Sequence, residues 1–296
     1  MIKTIRIISP SGAIDSAYID GAKARLQSWG LAVSEGRYAR GHHGRFAGTD
    51  EERLTDLVDA LEDPTVDAIL CSRGGYGLQR IIDHVPAVTK PVIGFSDITA
   101  LHQWSAISGQ PSIHGIMCKH IATLPEDSEP ILALRQLLTG HTNRYTWAPH
   151  PLNRPGKACA PVVGGNLSVL YGLQGTPFAL GKLSYKFPIL LIEDISERHY
   201  HIDRMMRNLR MSGVLAHLSG LIVGRFTDCE DDPLMSCSVY ETIKEAVADY
   251  DYPIIFNAPI GHVEHNLPLL LNRPSAIDSG MNSVLLTNGF DINIAD

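Results

Sequence analysis

The sequence predicts an α/β protein with two domains: an N-terminal doubly wound, mostly parallel sheet domain and a C-terminal mixed α/β domain. Over the first 140 residues, short apolar segments typical of strands alternate with segments typical of helices. Such alternation builds a parallel sheet with helices on both faces. Near residue 140 this pattern gives way to the stretch TGHTNRYTWAPHPLNRPGKACAP, which is rich in Pro, Thr and Asn. We therefore expect domains over 1–140 and 161–296, joined by a linker over 141–160.

The individual elements are predicted from hydrophobic periodicity and from residues typical of helix ends. The helix over 48–63 has the clearest start, because Thr49 is followed three residues later by Glu52, the spacing of a capping box. In the first domain the elements are a strand over 4–9, a helix over 13–30, a strand over 31–36, the helix over 48–63, a strand over 66–72, a helix over 77–85, a strand over 91–95 and a helix over 97–108. In the second domain they are a strand over 187–195, a helix over 200–213, a strand over 219–226, a helix over 239–250, a strand over 253–261 and a hairpin with an Asn-Gly signal over 275–290.

Composition and charge limit the class of protein. The 296 residues are 44% hydrophobic and 19% charged, which is enough for a sizeable core. Lys and Arg number 25 against 32 Asp and Glu, and no basic block occurs, so no nucleic-acid partner is expected. The five cysteines are scattered without a C-x-x-C pair, which fits a reducing cytoplasm. No apolar run approaches the ~18 residues of a membrane span, and the N-terminus is interpreted as a strand rather than a signal peptide.

The stretch PVIGFSDITALH, residues 91–102, contains the first candidate for chemistry. Ser96 follows a strand and precedes a helix, nearly as in the nucleophile elbow G-x-S-x-G, but Ile98 stands in place of the second glycine. A serine on such a turn exposes its hydroxyl at the end of the strand, where backbone N–H groups can stabilise an oxyanion. The alternative is that Ser96 or Asp97 only caps the helix. The residues alone leave both interpretations open.

The glycine-rich loop SRGGYG, residues 72–77, lies between a predicted strand and a predicted helix. Loops of this kind bring backbone amides close to an anion or a carbonyl oxygen. The loop lacks the G-K-[ST] ending of a Walker motif and the spacing of a dinucleotide fingerprint. A tight turn that needs positive φ is the alternative, and Arg73 beside the glycines favours the anion site.

Three further side chains are candidates for acid–base chemistry. Glu193 and Asp194 end a predicted strand, and strand periodicity sends the two neighbours to opposite faces, so at most one points into a given site. The alternative for both is a solvated strand end. His262 precedes VEHN, but the resulting His/Glu cluster lacks the helical H-E-x-x-H spacing, so no metal site is predicted.

Taken in order along the chain, these segments resemble the LD-carboxypeptidases, a family of serine peptidases. The resemblance extends over nearly the whole sequence. It is carried by ISPSG near the start, RFAGTDEERLTDL at 45–57, SRGGYG, GFSDITALH, GGNLSVL at 164–170, LLIEDISE followed by YHIDRM, and the late pair GH at 261–262.

The resemblance implies a Ser-Glu-His triad and an acyl-enzyme mechanism. The serine of the family's G-x-S-D motif is Ser96, the first carboxylate of its E-D pair is Glu193, and the histidine of its late G-H pair is His262. The resulting site prediction is as follows: catalytic Ser96, Glu193 and His262; backbone oxyanion donors at Asp97 and Gly75; and substrate contacts by Arg73, Gly74, Tyr76 and Asn166.

The resemblance also implies the reaction and its setting. The substrate would be the cytoplasmic murein tetrapeptide L-Ala-D-Glu-meso-diaminopimelate-D-Ala, with release of the terminal D-alanine during cell-wall recycling. No metal or organic cofactor is expected, and the protein would be a cytoplasmic homodimer. One alternative is a microcin-immunity-type hydrolase of peptidyl- or aminoacyl-nucleotide amides, a class expected to be longer and to carry an extra aromatic loop. Another is a non-enzymatic two-domain ligand-binding protein.

Overall fold

The computed structural model describes residues 2–289, which divide into two compact units. The first unit comprises residues 2–141 together with Leu267–Asn272. The second comprises Thr142–Asn266 and the described residues from Arg273 onward. The chain therefore passes back into the first unit for six residues before it completes the second.

The helices and strands follow one another closely in both units. Up to residue 141 they are β1 (Thr4–Ile8), α1 (Ser16–Ser28), β2 (Ala32–Glu35), α2 (Asp50–Glu62), β3 (Ala68–Cys71), β4 (Val92–Gly94), α3 (Thr99–Ile107), β5 (Ser112–His114), α4 (Cys118–Thr123) and α5 (Glu129–Leu138). From there to residue 266 they are β6 (Asn143–Trp147), β7 (Gly156–Asn166), α6 (Leu167–Gly172), β8 (Ile189–Ile195), α7 (His199–Met211), β9 (Gly220–Thr227), α8 (Val239–Ala246) and β10 (Ile254–Ile255). The last are β11 (Leu269–Leu271), β12 (Pro274–Ser279) and β13 (Val284–Asn288).

The first unit is built on a six-stranded sheet with the order β11-β5-β4-β3-β1-β2. All neighbouring pairs are parallel except β11 with β5. The strand order reverses between β1 and β3, and ligands of such sheets bind at the carboxyl ends of the strands beside this reversal. The loops that follow β1, β3 and β4 lie at those ends. Buried side chains of α1, α4 and α5 pack together with residues of the sheet in one apolar core.

The second unit contains a seven-stranded mixed sheet with the order β10-β9-β8-β7-β12-β13-β6. The strands from β10 to β7 are parallel, and those from β7 to β6 are antiparallel. Side chains of α6, α7 and α8 pack over the parallel part and form its core. The predicted α/β fold class, a mostly parallel N-terminal sheet and a mixed C-terminal domain, is thereby confirmed.

Four local predictions differ from the structure, and one of them is the strand predicted over 253–261, of which only Ile254–Ile255 forms a strand. The segment 141–160, predicted as a linker, contains β6 and the start of β7, because strand pairing with β13 and β12 orders a stretch that has no periodicity of its own. The helix predicted over 77–85 consists of two short 3₁₀ turns. The C-terminal hairpin is present, but its turn spans Gly280–Ser283, and the Asn-Gly pair lies at the end of the second strand, of which Asn288 is the last residue. Phe290, the last residue of the predicted hairpin, lies outside the described residues.

Candidate active site

Ser96 occupies a strained turn directly after β4. Its φ is +66°, a left-handed conformation that is uncommon for residues other than glycine and that recurs at functional sites. It begins a 3₁₀ turn over Ser96–Ile98, which continues into α3. The residues at the two cap positions are Phe95 and Ile98, so the interpretation of Ser96 or Asp97 as the side-chain cap of this helix is not supported.

Ile98 explains why the second glycine of an elbow motif is not needed here. A Cβ added at Gly94 would lie 2.9 Å from Cγ1 of Ile98 and 3.3 Å from Cβ of Cys71. The Ile98 side chain, which is fully buried, therefore packs into the space that Gly94 leaves. The position that must be glycine is therefore Gly94, two residues before Ser96, whereas position 98 accommodates a large side chain.

The glycine loop after β3 lies directly against Ser96. A Cβ added at Gly74 would lie 2.7 Å from the Ser96 Cβ and 3.1 Å from its Oγ, so no larger residue fits without displacing the serine. The next residue, Gly75, has a φ of +106°, which favours glycine. Within residues 2–289, the backbone N–H groups of Gly75 and Asp97 donate no hydrogen bond. Both amides are thus available to an anion beside the serine.

The carboxylate of Asp97 is buried and joins three loops. It accepts a hydrogen bond from the Ser11 hydroxyl at 2.6 Å and one from the Leu78 N–H at 2.9 Å. Burial raises the pKa of Asp97, while these two hydrogen bonds and the charge of Arg53 act in the opposite direction. The alternative in which this carboxylate caps the helix is therefore not supported, because its partners lie in the loops after β1 and β3.

Arg53 is a second buried charged residue in contact with these loops. Its guanidinium is almost fully buried and donates to the backbone oxygens of Pro10 at 2.5 Å and Gly77 at 3.0 Å. It also pairs with Asp50 on the same helix. A buried guanidinium with several partners rigidifies the groups it bonds. Arg53 thereby fixes the loops before Gly12 and around Gly77, on which the turn beside Ser96 depends.

In the second unit, Glu193 and His262 form a direct hydrogen bond. The distance from His262 Nδ1 to Glu193 Oε2 is 2.8 Å, and Glu193 is completely buried. An ionised carboxylate can only accept, so Nδ1 carries the proton and Nε2 is left as the basic nitrogen. Burial lowers the pKa of His262, but the hydrogen bond and charge of Glu193, together with the charge of Asp194, outweigh it and raise the pKa above its ordinary value.

Two glycines shape the space around the Glu193 side chain. A Cβ at Gly261 would lie 2.8 Å from Glu193 Oε2, and one at Gly224 would lie 3.1 Å from its Cβ. Gly261 has a φ of +121°, and its N–H donates to the Asn266 side chain at 2.9 Å. The backbone oxygen of His262 accepts from the Thr227 hydroxyl at 2.9 Å. The loop that carries the imidazole is thus held at both ends of the Gly261–His262 pair.

Asp194 has different partners from its neighbour Glu193. Its oxygens accept from the Asn166 amide at 2.9 Å and from the Ser168 N–H at 2.8 Å, at the start of α6. Burial, followed by the charge of Glu193, raises the pKa of Asp194 to about 7. Asn166 also caps α6 by accepting from the Val169 N–H, so its amide is engaged within its own unit. A substrate contact by Asn166 stays a prediction.

Arg73 and Tyr76 line a cavity of about 650 Å³ in the first unit, beside Gly75. The other lining residues were not predicted as site residues; they are Ala13, Ile14, Asp15, His42, Gly44 and Arg45. The roles of Ser11 and Arg53 were not predicted either, although both lie in strings that carry the family resemblance, ISPSG and RFAGTDEERLTDL.

In residues 2–289, no group of three or more His, Cys, Asp or Glu is placed to hold a metal ion. No helix in this part of the chain is long and apolar enough to cross a membrane.

Comparison with family models defines the class of this protein. The N-terminal domain model of the LD-carboxypeptidases matches residues 5–115, and the C-terminal domain model matches residues 160–277. The protein is therefore a peptidase, of the serine carboxypeptidase type. It belongs to the LD-carboxypeptidase family, which confirms the resemblance seen in the sequence and sets aside the interpretation as a non-enzymatic binding protein.

Curated relatives and solved structures agree with this assignment. A putative carboxypeptidase of Synechocystis is 36% identical, with 93% of this chain and 91% of the relative covered. The probable murein peptide carboxypeptidase of Bacillus subtilis is 33% identical, with 97% and 92% covered. The crystal structure of muramoyltetrapeptide carboxypeptidase from Oxalobacter formigenes has a TM-score of 0.86 at 24% identity, with 97% of this chain and 99% of that chain covered.

The microcin C7 self-immunity protein MccF, in complex with aspartyl sulfamoyl adenosine, has a TM-score of 0.82 at 20% identity. The match covers 97% of this chain and 96% of the MccF chain. At this identity the likeness shows a shared fold.

Proposed function

We propose that the protein is a serine LD-carboxypeptidase that releases the terminal D-alanine from murein tetrapeptide through a triad of Ser96, Glu193 and His262. The observation that carries the proposal is the hydrogen bond from His262 Nδ1 to the buried Glu193, which leaves Nε2 as the base. A carboxylate in this position holds the imidazole in one tautomer and stabilises its cation. The strained turn of Ser96 supplies the matching nucleophile.

The proposed mechanism gives each residue of the triad one role. His262 Nε2 takes the proton of the Ser96 hydroxyl while Oγ attacks the carbonyl carbon of the penultimate residue. The N–H groups of Asp97 and Gly75 stabilise the resulting oxyanion. Collapse of the tetrahedral intermediate breaks the C–N bond, and His262 passes its proton to the nitrogen of the leaving D-alanine. Water, activated by the same imidazole, then hydrolyses the acyl-enzyme.

Two observations favour a murein peptide over an aminoacyl nucleotide. The first is that the relative in Bacillus subtilis is described as a probable murein peptide carboxypeptidase. The second is the short connection after the proposed acid: β8 ends at Ile195 and α7 begins at His199. Three intervening residues leave no room there for an aromatic loop that would hold a nucleobase. The cytoplasmic location, the homodimer and the absence of a cofactor remain predictions.

The proposal is tested by mass spectrometry of products from L-Ala-D-Glu-meso-diaminopimelate-D-Ala. We expect free D-alanine and the tripeptide with the wild type, and neither product with a folded Ser96→Ala variant. Aspartyl sulfamoyl adenosine, incubated in parallel, tests the rival activity. Hydrolysis of the nucleotide without hydrolysis of the tetrapeptide would overturn the proposal.

A further inference from the structure

Two arginines line the cavity beside the glycine loop, in a chain whose net charge is negative. The whole chain has a formal charge of −7, yet this cavity is lined by His42, Arg45 and Arg73 against a single carboxylate, Asp15. Asp15 is engaged at the start of α1, where it accepts from the Ala17 N–H at 2.9 Å. Arginines therefore outnumber carboxylates in this cavity, the reverse of the balance in the whole chain.

Ala13 bonds the backbone of Arg45 and the side chain of Arg73. The Arg45 carbonyl accepts from the Ala13 N–H at 3.3 Å, and Arg73 Nη1 donates to the Ala13 oxygen at 2.7 Å. Among residues 2–289, neither guanidinium forms an ion pair with a carboxylate. Each therefore retains N–H groups in the fork geometry that matches a carboxylate.

The same stretch of backbone connects this cavity to the turn beside Ser96. Gly12 precedes Ala13, and its N–H donates to the Gly74 oxygen at 3.0 Å. A Cβ at Gly74 would in turn collide with Ser96. Gly75, whose N–H is one of the proposed oxyanion donors, is itself a lining residue of the cavity. The cationic cavity thus begins at the oxyanion turn.

We propose that Arg45 and Arg73 bind the C-terminal carboxylate of the peptide and so restrict the enzyme to removal of the last residue. The proposal rests on the function proposed above. In a carboxypeptidase substrate, only one residue separates the scissile carbonyl from the terminal carboxylate. Standard bond lengths place these two carbons within about 4 Å of each other. Cations that recognise this carboxylate must therefore lie close to the oxyanion turn. Arg73 directly precedes Gly74 in the sequence. Arg45 bonds Ala13, whose neighbour Gly12 bonds Gly74.

The test compares two ligands that differ in one charge: the tetrapeptide and the same peptide ending in D-alaninamide. Affinities are measured by calorimetry in a Ser96→Ala background, so that binding is read without turnover. We expect the free acid to bind about 10- to 100-fold more tightly than the amide. Arg45→Gln and Arg73→Gln should each reduce this ratio, and the double variant should bring it close to one while amide affinity is unchanged. Arg135→Gln, which removes an exposed charge on α5, is the control and should preserve the ratio.

The outcomes separate this inference from the proposed function. Equal affinity of the Ser96→Ala protein for acid and amide, or equal weakening of both ligands by the arginine variants, would overturn carboxylate recognition even if the wild type hydrolyses the tetrapeptide. Preferential binding of the acid by a wild type that does not hydrolyse it would support the inference and reject the function. Failure of both ligands to bind would reject the inference.

Discussion

The carboxylate of Asp97 and the hydroxyl of Ser11 lie 2.6 Å apart in a buried hydrogen bond, although 86 residues separate them in the sequence. The loop after β1 is thereby fixed to the turn that presents Ser96. The Leu78 N–H bonds the same carboxylate, so the loop after β3 is tied to the turn as well.

Asp97→Ala is expected to destabilise the protein by about 1–3 kcal/mol, because it leaves the buried Ser11 hydroxyl and Leu78 N–H without an acceptor. Urea denaturation measures the change in the free energy of unfolding. Asp97→Asn is the matched variant, and it should lose less, since both hydrogen bonds end on Oδ2 and an amide oxygen in that position can accept both. Equal stability of Asp97→Ala and wild type would show that these hydrogen bonds do not hold the loops.

Gly74→Ala should reduce the rate of tetrapeptide hydrolysis by at least about 10²-fold, the scale of losing one oxyanion donor. The added methyl carbon would sit 2.7 Å from the Ser96 Cβ, so the serine or the glycine turn must shift. Steady-state kinetics with a circular dichroism check of folding measures the effect. Gly181→Ala is the control, because no atom lies within 4 Å of its added Cβ. A Gly74→Ala enzyme as active as the control would contradict the proposed oxyanion turn.

Glu193→Gln should lower kcat/KM by about 10⁴-fold, the scale of such an acid-to-amide change in other serine peptidases. It should also shift the acid limb of the pH–rate profile. The hydrogen bond and charge of Glu193 raise the pKa of His262, so the limb of the wild type should lie above pH 6.5, and that of the variant at lower pH. A Glu197→Gln variant provides the comparison, because Glu197 also pairs with a histidine, His201, at 3.1 Å. An unchanged limb in Glu193→Gln would exclude His262 as the base that Glu193 supports.

Asp194 should make the protein less stable as the pH rises from about 4 to about 7. Burial and the charge of Glu193 raise its pKa to about 7 in the folded protein, from an ordinary value of 3.8. In this window the native state binds more protons at Asp194 than the unfolded state does. The favourable contribution is therefore complete below pH 4 and is lost toward pH 7, by up to about 1.4 kcal/mol per pH unit. Unfolding of the wild type and of Asp194→Asn across this range should give different pH slopes, and parallel slopes would contradict the assignment.

The features that could be predicted from the sequence are those encoded locally. The capping box at Thr49 and Glu52 forms as predicted, because all of its atoms lie within one turn of chain. Alternation along β8 was enough to predict that Glu193 and Asp194 have different surroundings. The choice between them came from the family resemblance and not from the residues alone.

The remaining features depend on partners that are distant in the sequence. No local pattern indicates that Ser11 donates a hydrogen bond to Asp97, or that Arg45 and Arg73 line the same cavity. The segment over 77–85 has the composition of a helix, but it forms 3₁₀ turns in the structure, where Gly77 and Leu78 bond to Arg53 and Asp97. Tertiary hydrogen bonds here override local propensity.

The return of Leu267–Asn272 to the first unit has a consequence for biosynthesis. β5 pairs with β11, whose residues follow the second unit's β10 in the chain. During translation, the N-terminal sheet consequently lacks one outer strand until residues 269–271 have emerged. Until then the free edge of β5 presents unpaired backbone groups that invite pairing with other chains. A nascent chain that stalls before residue 267 is thus more prone to aggregate than a chain in which β11 has paired with β5.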